Sequence, residues 1–178
     1  MLKKLAKFLF SILLAFIIVF GGFWMFFGDS VKEEYAAYRK GSAPILLYHA
    51  VGEPVEIEWL PSLIMPASLF ESHLQYLNQE GYKVVSVEDL VSLLKNGGNL
   101  DKVVAMSFDD GYRNNHTDAL PLLKKYNAKA SFYIVHRDIG KTIYMGKDRL
   151  QDLLDSGMEI GSHTINHAPL ALIDPKYL

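Results

Sequence analysis

Two pairs of side chains in this sequence could support hydrolytic chemistry. Asp109 and Asp110 are adjacent in the stretch SFDDG, directly after the apolar residues 103–108. His163 and His167 are four residues apart in GSHTINH, which follows another apolar stretch. A carboxylate and two imidazoles can hold a divalent cation while leaving coordination positions open for water. A second carboxylate that does not bind the ion can act as a general base, so the sequence predicts a metal-dependent hydrolytic site.

Each motif taken alone also has a simpler structural interpretation. Asp and Gly are common turn residues, so DDG by itself is typical of a solvated turn. Histidines four apart occur by chance on surface helices, although one helical turn or a tight loop would aim both at one ion. No Glu follows His163, so the His-Glu-x-x-His protease signature is absent. The two motifs together, at the ends of separate predicted strands, indicate a metal site more strongly than either does alone.

The elements that would position these residues alternate between strands and helices. The hydrophobic pattern predicts strands at 45–49, 83–87, 103–108, 130–135 and 158–162, and helices at 67–79, 88–95, 115–126 and 147–156. This alternation is typical of a parallel sheet, in which ligand sites form at the carboxyl ends of the strands. Five strands fit an open sheet or an incomplete barrel, because a closed α/β barrel has eight strands in about 250 residues.

The N-terminal segment has a different character. Residues 8–27 contain no charged side chain and would span about 30 Å as a helix, the thickness of a bilayer's hydrocarbon core. Lys3, Lys4 and Lys7 precede this run, which predicts a cytoplasmic N-terminus. We interpret residues 1–27 as an uncleaved signal anchor with a transmembrane helix at about 8–27. A cleaved signal peptide is the alternative, although no small-x-small site directly follows the run.

The anchor interpretation divides the chain into three parts and predicts its location. Residues 28–43 are polar and charged and read as a juxtamembrane stalk, and residues 44–178 form the folded domain. The protein would be a single-pass cell-membrane protein whose domain is extracellular. Residues 41–178 carry 12 Lys or Arg and 17 Asp or Glu, a net charge of 12 − 17 = −5, which argues against a nucleic-acid partner. The absence of cysteine excludes disulfides and thiolate metal sites.

The motifs and their flanking residues resemble one known family. SFDDG and HTINH are similar to the first two motifs of the polysaccharide deacetylases (carbohydrate esterase family four, the NodB-homology domain). The similarity extends to LLYHAV, ASFYIV and MEIGSH and covers roughly residues 44–173. It implies a deformed (β/α) barrel of that family's type. It also implies metal-dependent removal of N-acetyl groups from peptidoglycan or poly-N-acetylglucosamine, and the early Tyr-His segment resembles the poly-N-acetylglucosamine subgroup more closely.

The resemblance also assigns roles to individual residues. On the matching positions, Asp109 would be the catalytic base, and Asp110, His163 and His167 would hold the metal, expected to be zinc. His49, at the end of the first predicted strand, could touch substrate or make a structural hydrogen bond. Tyr112 could stack on a sugar ring or simply pack against its neighbours.

The sequence departs from the family downstream of the second motif. The family's later motifs supply an arginine that orients the base, groups lining the sugar site and a histidine general acid, and no room remains for them after His167. We therefore expect an incomplete deacetylase barrel. The alternative is a catalytically weak or inactive deacetylase-like protein that binds the cell wall. A membrane-anchored metalloprotease or phosphatase with the same ligands is a third possibility, although no two-metal ligand set is visible.

Overall fold

The computed structural model describes residues 42–52, 63–173 and 176. Its strands are β1 (Ile45–Tyr48), β2 (Ala50–Val51), β3 (Ile64–Met65), β4 (Lys83–Val85), β5 (Val103–Phe108), β6 (Ser131–Ile134) and β7 (Glu159–Ser162). Its α-helices are α1 (Ala67–Gln79), α2 (Val87–Lys95), α3 (Leu120–Lys125) and α4 (Lys147–Asp155). Strands and helices alternate as the hydrophobic pattern predicts, and the bounds of α1 and β5 agree with the sequence prediction.

The main sheet is parallel and β5 lies at its centre. Its order is β1-β5-β6-β7, and β4 also pairs with β5. Strand β5 is buried along its whole length, which explains why all its residues except Ser107 are apolar. A separate two-stranded sheet joins β2 to β3. The predicted α/β class with a parallel sheet is confirmed.

An aromatic row forms the centre of the core and fixes the register of three strands. Tyr48, Phe108 and Phe132 are cross-strand neighbours on β1, β5 and β6. Their ring centroids lie 5.4 and 4.7 Å apart in stacked arrangements, and Phe70 of α1 packs edge-on against Tyr48. Offset and edge-to-face contacts of this kind contribute about 0.5–1.5 kcal/mol each beyond the area they bury. Phe108, in this row, directly precedes Asp109, so the packed core fixes the end of β5 from which the candidate site begins.

Two boundaries differ from the sequence prediction where a polar residue leaves a strand. Strand β4 stops at Val85 because Ser86 caps α2, its side chain accepting a hydrogen bond of 3.0 Å from the Asp89 N–H. The predicted strand at 45–49 is also interrupted, since β1 ends at Tyr48 and β2 begins at Ala50. His49 therefore lies between two strands, at the edge where β1 ends.

The predicted helix at 115–126 has two parts. A π-helical turn covers Asn115–Ala119, and α3 follows with Pro121 in its first turn. Proline has no N–H to donate into the preceding turn, but its fixed φ suits the start of a helix. The irregular turn upstream of Pro121 is the consequence.

The membrane prediction falls mainly on residues that the structure does not describe. The predicted transmembrane helix at about 8–27 lies outside the described residues, as does the predicted stalk except for Ser42 and Ala43. Among the residues that are described, none of the helices has both the length and the apolar character needed to cross a bilayer.

Candidate metal centre

The two aspartates leave β5 in different directions because the backbone turns sharply between them. The Asp109 N–H donates to the Tyr48 carbonyl at 2.9 Å and continues the ladder with β1. The Gly111 N–H then donates back to the Asp109 carbonyl at 2.9 Å, and Asp110 between them has φ +70°. This is a γ-turn with a positive central φ, a rare and strained conformation for a residue with a side chain. Because of this turn, the carboxylates of Asp109 and Asp110 take up separate positions although the residues are adjacent.

Glycine is required directly after the pair. Gly111 has φ +79°, and a Cβ atom there would lie 2.9 Å from Cδ1 of Ile134. The missing side chain lets the turn pack against Ile134 of β6, the strand that pairs with β7. The DDG sequence is therefore a strand-end turn, but one that is buried: Asp110 is 6% exposed and Gly111 is also buried.

The two histidines are held by a tight loop after β7. The His163 N–H donates to the Ile134 carbonyl and extends the pairing with β6. The Thr164 hydroxyl oxygen accepts a hydrogen bond of 2.9 Å from the His167 N–H, which closes the loop. Thr164 and His167 both have positive φ, at 67° and 56°. The four-residue spacing thus reflects a tight loop, one of the two arrangements that the sequence left open.

Three side chains converge in front of these loops. The Oδ1 atom of Asp110 lies 3.5 Å from Nε2 of His163 and 3.4 Å from Nε2 of His167. One ligand atom from each residue lies within 4.8 Å of the others. Ligand atoms bound tetrahedrally to zinc at about 2.1 Å are separated by about 3.4 Å, so this spacing fits one ion.

The environment of Asp110 also fits a cation. Its Oδ1 atom is buried and has no hydrogen-bond partner among the described residues. Buried polar atoms nearly always have a partner, so an unsatisfied carboxylate oxygen that faces two imidazoles calls for a positive charge. The donor set of one carboxylate and two imidazoles suits zinc and other borderline divalent ions.

Asp109 stands beside this cluster rather than within it. Its Oδ2 atom lies 4.0 Å from Nε2 of His163, and its side chain is 17% exposed. Burial raises the pKa of the Asp109 carboxyl, and the nearby Asp110 adds to the increase, while His163 and His49 oppose it. His49 directly follows Tyr48, whose carbonyl accepts the hydrogen bond from the Asp109 N–H. The structure brings together the two predicted motifs and His49 at one edge of the sheet.

Tyr112 lies behind the site and not on its surface. Its side chain is 3% exposed, and its ring stacks on that of Tyr144 at 5.2 Å with Ala50 in the same apolar cluster. This placement favours the packing interpretation of Tyr112 over stacking on a sugar. Tyr144 could not be selected from the sequence, because its contact with Tyr112 joins segments about thirty residues apart. Thr164 could have been recognised, since a Thr three residues before a turn's last N–H is a common local acceptor.

Residues 96–177 match the family model described as polysaccharide deacetylase. That range contains both motifs of the candidate metal centre.

Curated proteins and solved structures include relatives of the same kind. YxkH of Bacillus subtilis, whose name describes it as a candidate polysaccharide deacetylase, is 32% identical over 139 residues, which are 78% of this chain and 48% of that protein. A poly-β-1,6-N-acetyl-D-glucosamine N-deacetylase of Staphylococcus epidermidis is 25% identical over 143 residues, 71% of this chain and 50% of that protein. The chain spans about half the length of these curated relatives.

A solved structure extends the comparison to the fold. The Streptococcus pyogenes deacetylase PplD, solved in complex with acetate, is 32% identical and superposes with a TM-score of 0.68. The match covers 76% of this chain and 62% of the PplD chain.

Proposed function

The chain belongs to the polysaccharide deacetylase family, and on that basis we propose that it is a metal-dependent N-deacetylase acting on an N-acetylglucosamine polymer. The observation that carries the proposal is the convergence of Asp110, His163 and His167 within 4.8 Å, with Asp109 directly beside them. Of the two proposed substrates, poly-N-acetylglucosamine is supported by the name of the Staphylococcus epidermidis relative, and peptidoglycan is the alternative. We also propose that the domain is an incomplete form of the family's deformed (β/α) barrel.

The residues divide the hydrolytic work according to their positions. Asp110, His163 and His167 would hold a divalent ion, proposed to be zinc, and that ion would supply polarisation of the acetamide carbonyl and a lowered pKa for water. Asp109 is not one of the three clustered ligands, and its Oδ2 atom, 4.0 Å from Nε2 of His163, is placed beside them to accept a proton from the attacking water. His49, beside Asp109, is placed to contact the sugar.

The location of the protein is proposed from the sequence alone. Residues 8–27 would anchor the domain in the cell membrane with residues 28–178 outside the cytoplasm, where the wall polymers are. Protease added to intact cells should digest the domain and spare a short N-terminal fragment. Protection of the whole chain until the cells are lysed would contradict this location.

The activity is tested by acetate release from oligosaccharides of β-1,4- and β-1,6-linked N-acetylglucosamine. The full chain, purified in detergent and loaded with Zn²⁺, should release acetate. Asp109→Asn should keep zinc binding and lose about 10²–10⁴-fold in turnover, because the general base is removed. Asp110→Ala should lose both zinc binding and turnover. A fully active Asp110→Ala protein would overturn the assignment.

A second result would separate catalysis from binding. If the zinc-loaded chain bound the polymer but released no more acetate than Asp110→Ala, the wall-binding alternative would replace the enzyme. That alternative is tested separately because the chain spans about half the length of its curated relatives. Polymer retention on insoluble wall material measures binding without turnover.

A further inference from the structure

A cavity of about 410 Å³ lies between α2 and the main sheet, away from the candidate metal centre. One side of α2, the whole of β4 and the segment that leads into β6 form its walls. Its volume falls within the range of cavities that hold small ligands in other proteins. Its polar lining residues are Lys83, Asp89, Ser92, Asn96, Asn127 and Lys129.

The cavity lies at the amino edge of the sheet, where the strands begin. Lys83 is the first residue of β4, and Lys129 lies two residues before β6, its N–H donating to the Val84 carbonyl at 3.2 Å. Because the strands are parallel, this edge is opposite to the carboxyl ends that carry Asp110 and His163. A ligand in the cavity and a substrate at the metal centre would therefore occupy different sites.

A smaller cavity of about 220 Å³ adjoins the first at the same edge. Both cavities are lined by Lys83, Val84 and Asn127, so these residues form the boundary that the two share. The smaller cavity adds the side chains of Asn78 and Tyr126. We call the two cavities together the amino-edge groove. Adjoining cavities of this kind can hold successive units of a chain molecule.

The side chains of the amino-edge groove suit an N-acetylated sugar. An asparagine amide both donates and accepts hydrogen bonds, so Asn96 and Asn127 can pair with the N–H and the carbonyl of an acetamido group. Sugar hydroxyl groups can accept from the Lys83 ammonium and donate to the Asp89 carboxylate. The two valines of β4 that line the groove offer apolar contact to the sugar ring and to the acetyl methyl group.

The charges of the groove argue against a simple anion site. Nζ of Lys129 lies 4.0 Å from Oδ2 of Asp89, so one of the two lining lysines already has a carboxylate partner. The Asp89 carboxylate would also repel a phosphate placed between the lysines. A neutral ligand that carries both hydrogen-bond donors and acceptors avoids this repulsion and can use the carboxylate as well.

We propose that the amino-edge groove is a second glycan-binding site, which holds N-acetylglucosamine units of the polymer without cleaving them. The inference rests on the proposed function, because that function supplies the polymer. A polymer presents many identical units to one protein, so contact at the groove raises the effective concentration of further units around the domain. The groove would thus keep the domain on its polymer between turnovers.

The test measures Kd by calorimetry for tetrasaccharides of β-1,4- and β-1,6-linked N-acetylglucosamine. The full chain in detergent is first treated with a chelator, so that no metal contributes to binding. Ser92→Leu places a larger, apolar side chain in the cavity and should weaken binding of the tighter tetrasaccharide about tenfold, as expected for the loss of one or two hydrogen bonds. Lys95→Leu is the matched control, because Lys95 is exposed on the same helix and does not line the groove. Its Kd should stay within about twofold of wild type.

Two results would overturn the proposal directly. One is that the chelator-treated wild-type chain binds neither tetrasaccharide, and the other is that Ser92→Leu and Lys95→Leu have equal Kd values. If Ser92→Leu does not fold, Asn96→Ala takes its place, with weaker binding supporting the groove and unchanged binding overturning it. Displacement of the sugar by inorganic phosphate would show an anion site instead and would also overturn the proposal.

Acetate release by the zinc-loaded wild-type chain separates this inference from the proposed activity. Failure to release acetate, with tetrasaccharide binding still weakened by Ser92→Leu, would defeat the activity and leave the groove in place. Wild-type turnover, with equal Kd values for the two leucine variants, would defeat the groove alone.

Discussion

At the scale of single residues, the candidate centre depends on how two neighbouring carboxylates are separated. A regular strand would place Asp109 and Asp110 on opposite faces of the sheet, and a solvated turn would leave both in water. The γ-turn instead buries Asp110 against the histidines and leaves Asp109 beside them. Like charges this close are unfavourable without a counter-charge, which is a physical reason to expect a cation there.

A third carboxylate, Asp138, is expected to make the stability of the fold depend on pH. It is 7% exposed and lies 2.5 Å from Nζ of Lys141, with Arg137 also beside it. Burial alone would raise the pKa of Asp138, but the bond to Lys141 and the charge of Arg137 outweigh it, and the pKa is lowered. A pKa that is lower in the folded state adds stability above the unfolded value, near 4, and this stability is lost as the pH falls further.

Asp138→Asn should therefore lower the free energy of unfolding at pH 7 by about 1–3 kcal/mol, the range for hydrogen bonds to charged groups. The difference between variant and wild type should shrink as the pH falls below about 4. Urea titrations at several pH values measure both effects. Asp101→Asn changes an exposed carboxyl and should stay within about 0.5 kcal/mol of wild type. A difference for Asp138→Asn that is the same at pH 7 and at pH 3.5 would contradict the ion-pair explanation.

At the scale of elements, loops that follow parallel strands carry the site, and their hydrogen bonds tie them to one another. The loop after β7 accepts hydrogen bonds from the N–H groups of His136 and Arg137, which follow β6. The loop after β5 is joined to the loop before α4 through Tyr112 and Tyr144. Positions held on rigid strand ends in this way stay close to the geometry that a metal requires.

Gly111→Ala tests the turn after the aspartates. The substitution combines a positive φ with a Cβ atom 2.9 Å from the Ile134 side chain, so we expect a loss of about 2–4 kcal/mol in the free energy of unfolding. Gly140→Ala is the control, because Gly140 has φ +82° but no atom within 4 Å of a Cβ. It should cost only about 1–2 kcal/mol. Equal losses for the two variants in urea titration would show that the contact with Ile134 contributes nothing.

Thr164→Val tests the histidine loop. Valine keeps the shape of threonine but removes the oxygen that accepts from the His167 N–H, so His167 should be less well held. A hydrogen bond with a net value of about 1 kcal/mol corresponds to about a fivefold loss in zinc affinity. Thr164→Ser keeps the hydroxyl and should bind zinc like wild type. Wild-type affinity in the valine variant would mean that the loop needs no such bond.

Much of this arrangement could be predicted from the sequence because its strongest signals are local. The continuous apolar run before Asp109 marks a buried central strand, and the helical face of Phe70, Leu74 and Leu77 marks α1. Strand and helix boundaries set by a single polar residue, such as the cap at Ser86, were harder to predict from the sequence. The pairing of Tyr112 with Tyr144 was out of reach, because it joins segments about thirty residues apart that meet only in the folded chain.

At the scale of the whole molecule, the described residues form a five-stranded parallel sheet with the candidate metal centre at one edge. The family-model match, from sequence, and the superposition on PplD, from fold, both show similarity to deacetylases. The aromatic row lies on the strands, whereas the proposed metal ligands lie in the loops that follow the strands. Variants of the metal ligands should therefore fold, which allows binding and catalysis to be examined separately from stability.

The most direct test is to locate the cation. Crystals of the protein grown with Zn²⁺ should show one anomalous peak at the zinc absorption edge, about 2.0–2.2 Å from a carboxylate oxygen of Asp110 and from Nε2 of both His163 and His167. Asp109 should lie nearby without coordinating the ion. A zinc peak bound elsewhere, or no peak in a crystal whose imidazoles and Asp110 carboxyl stand as described here, would contradict the metal centre and with it the proposed hydrolysis.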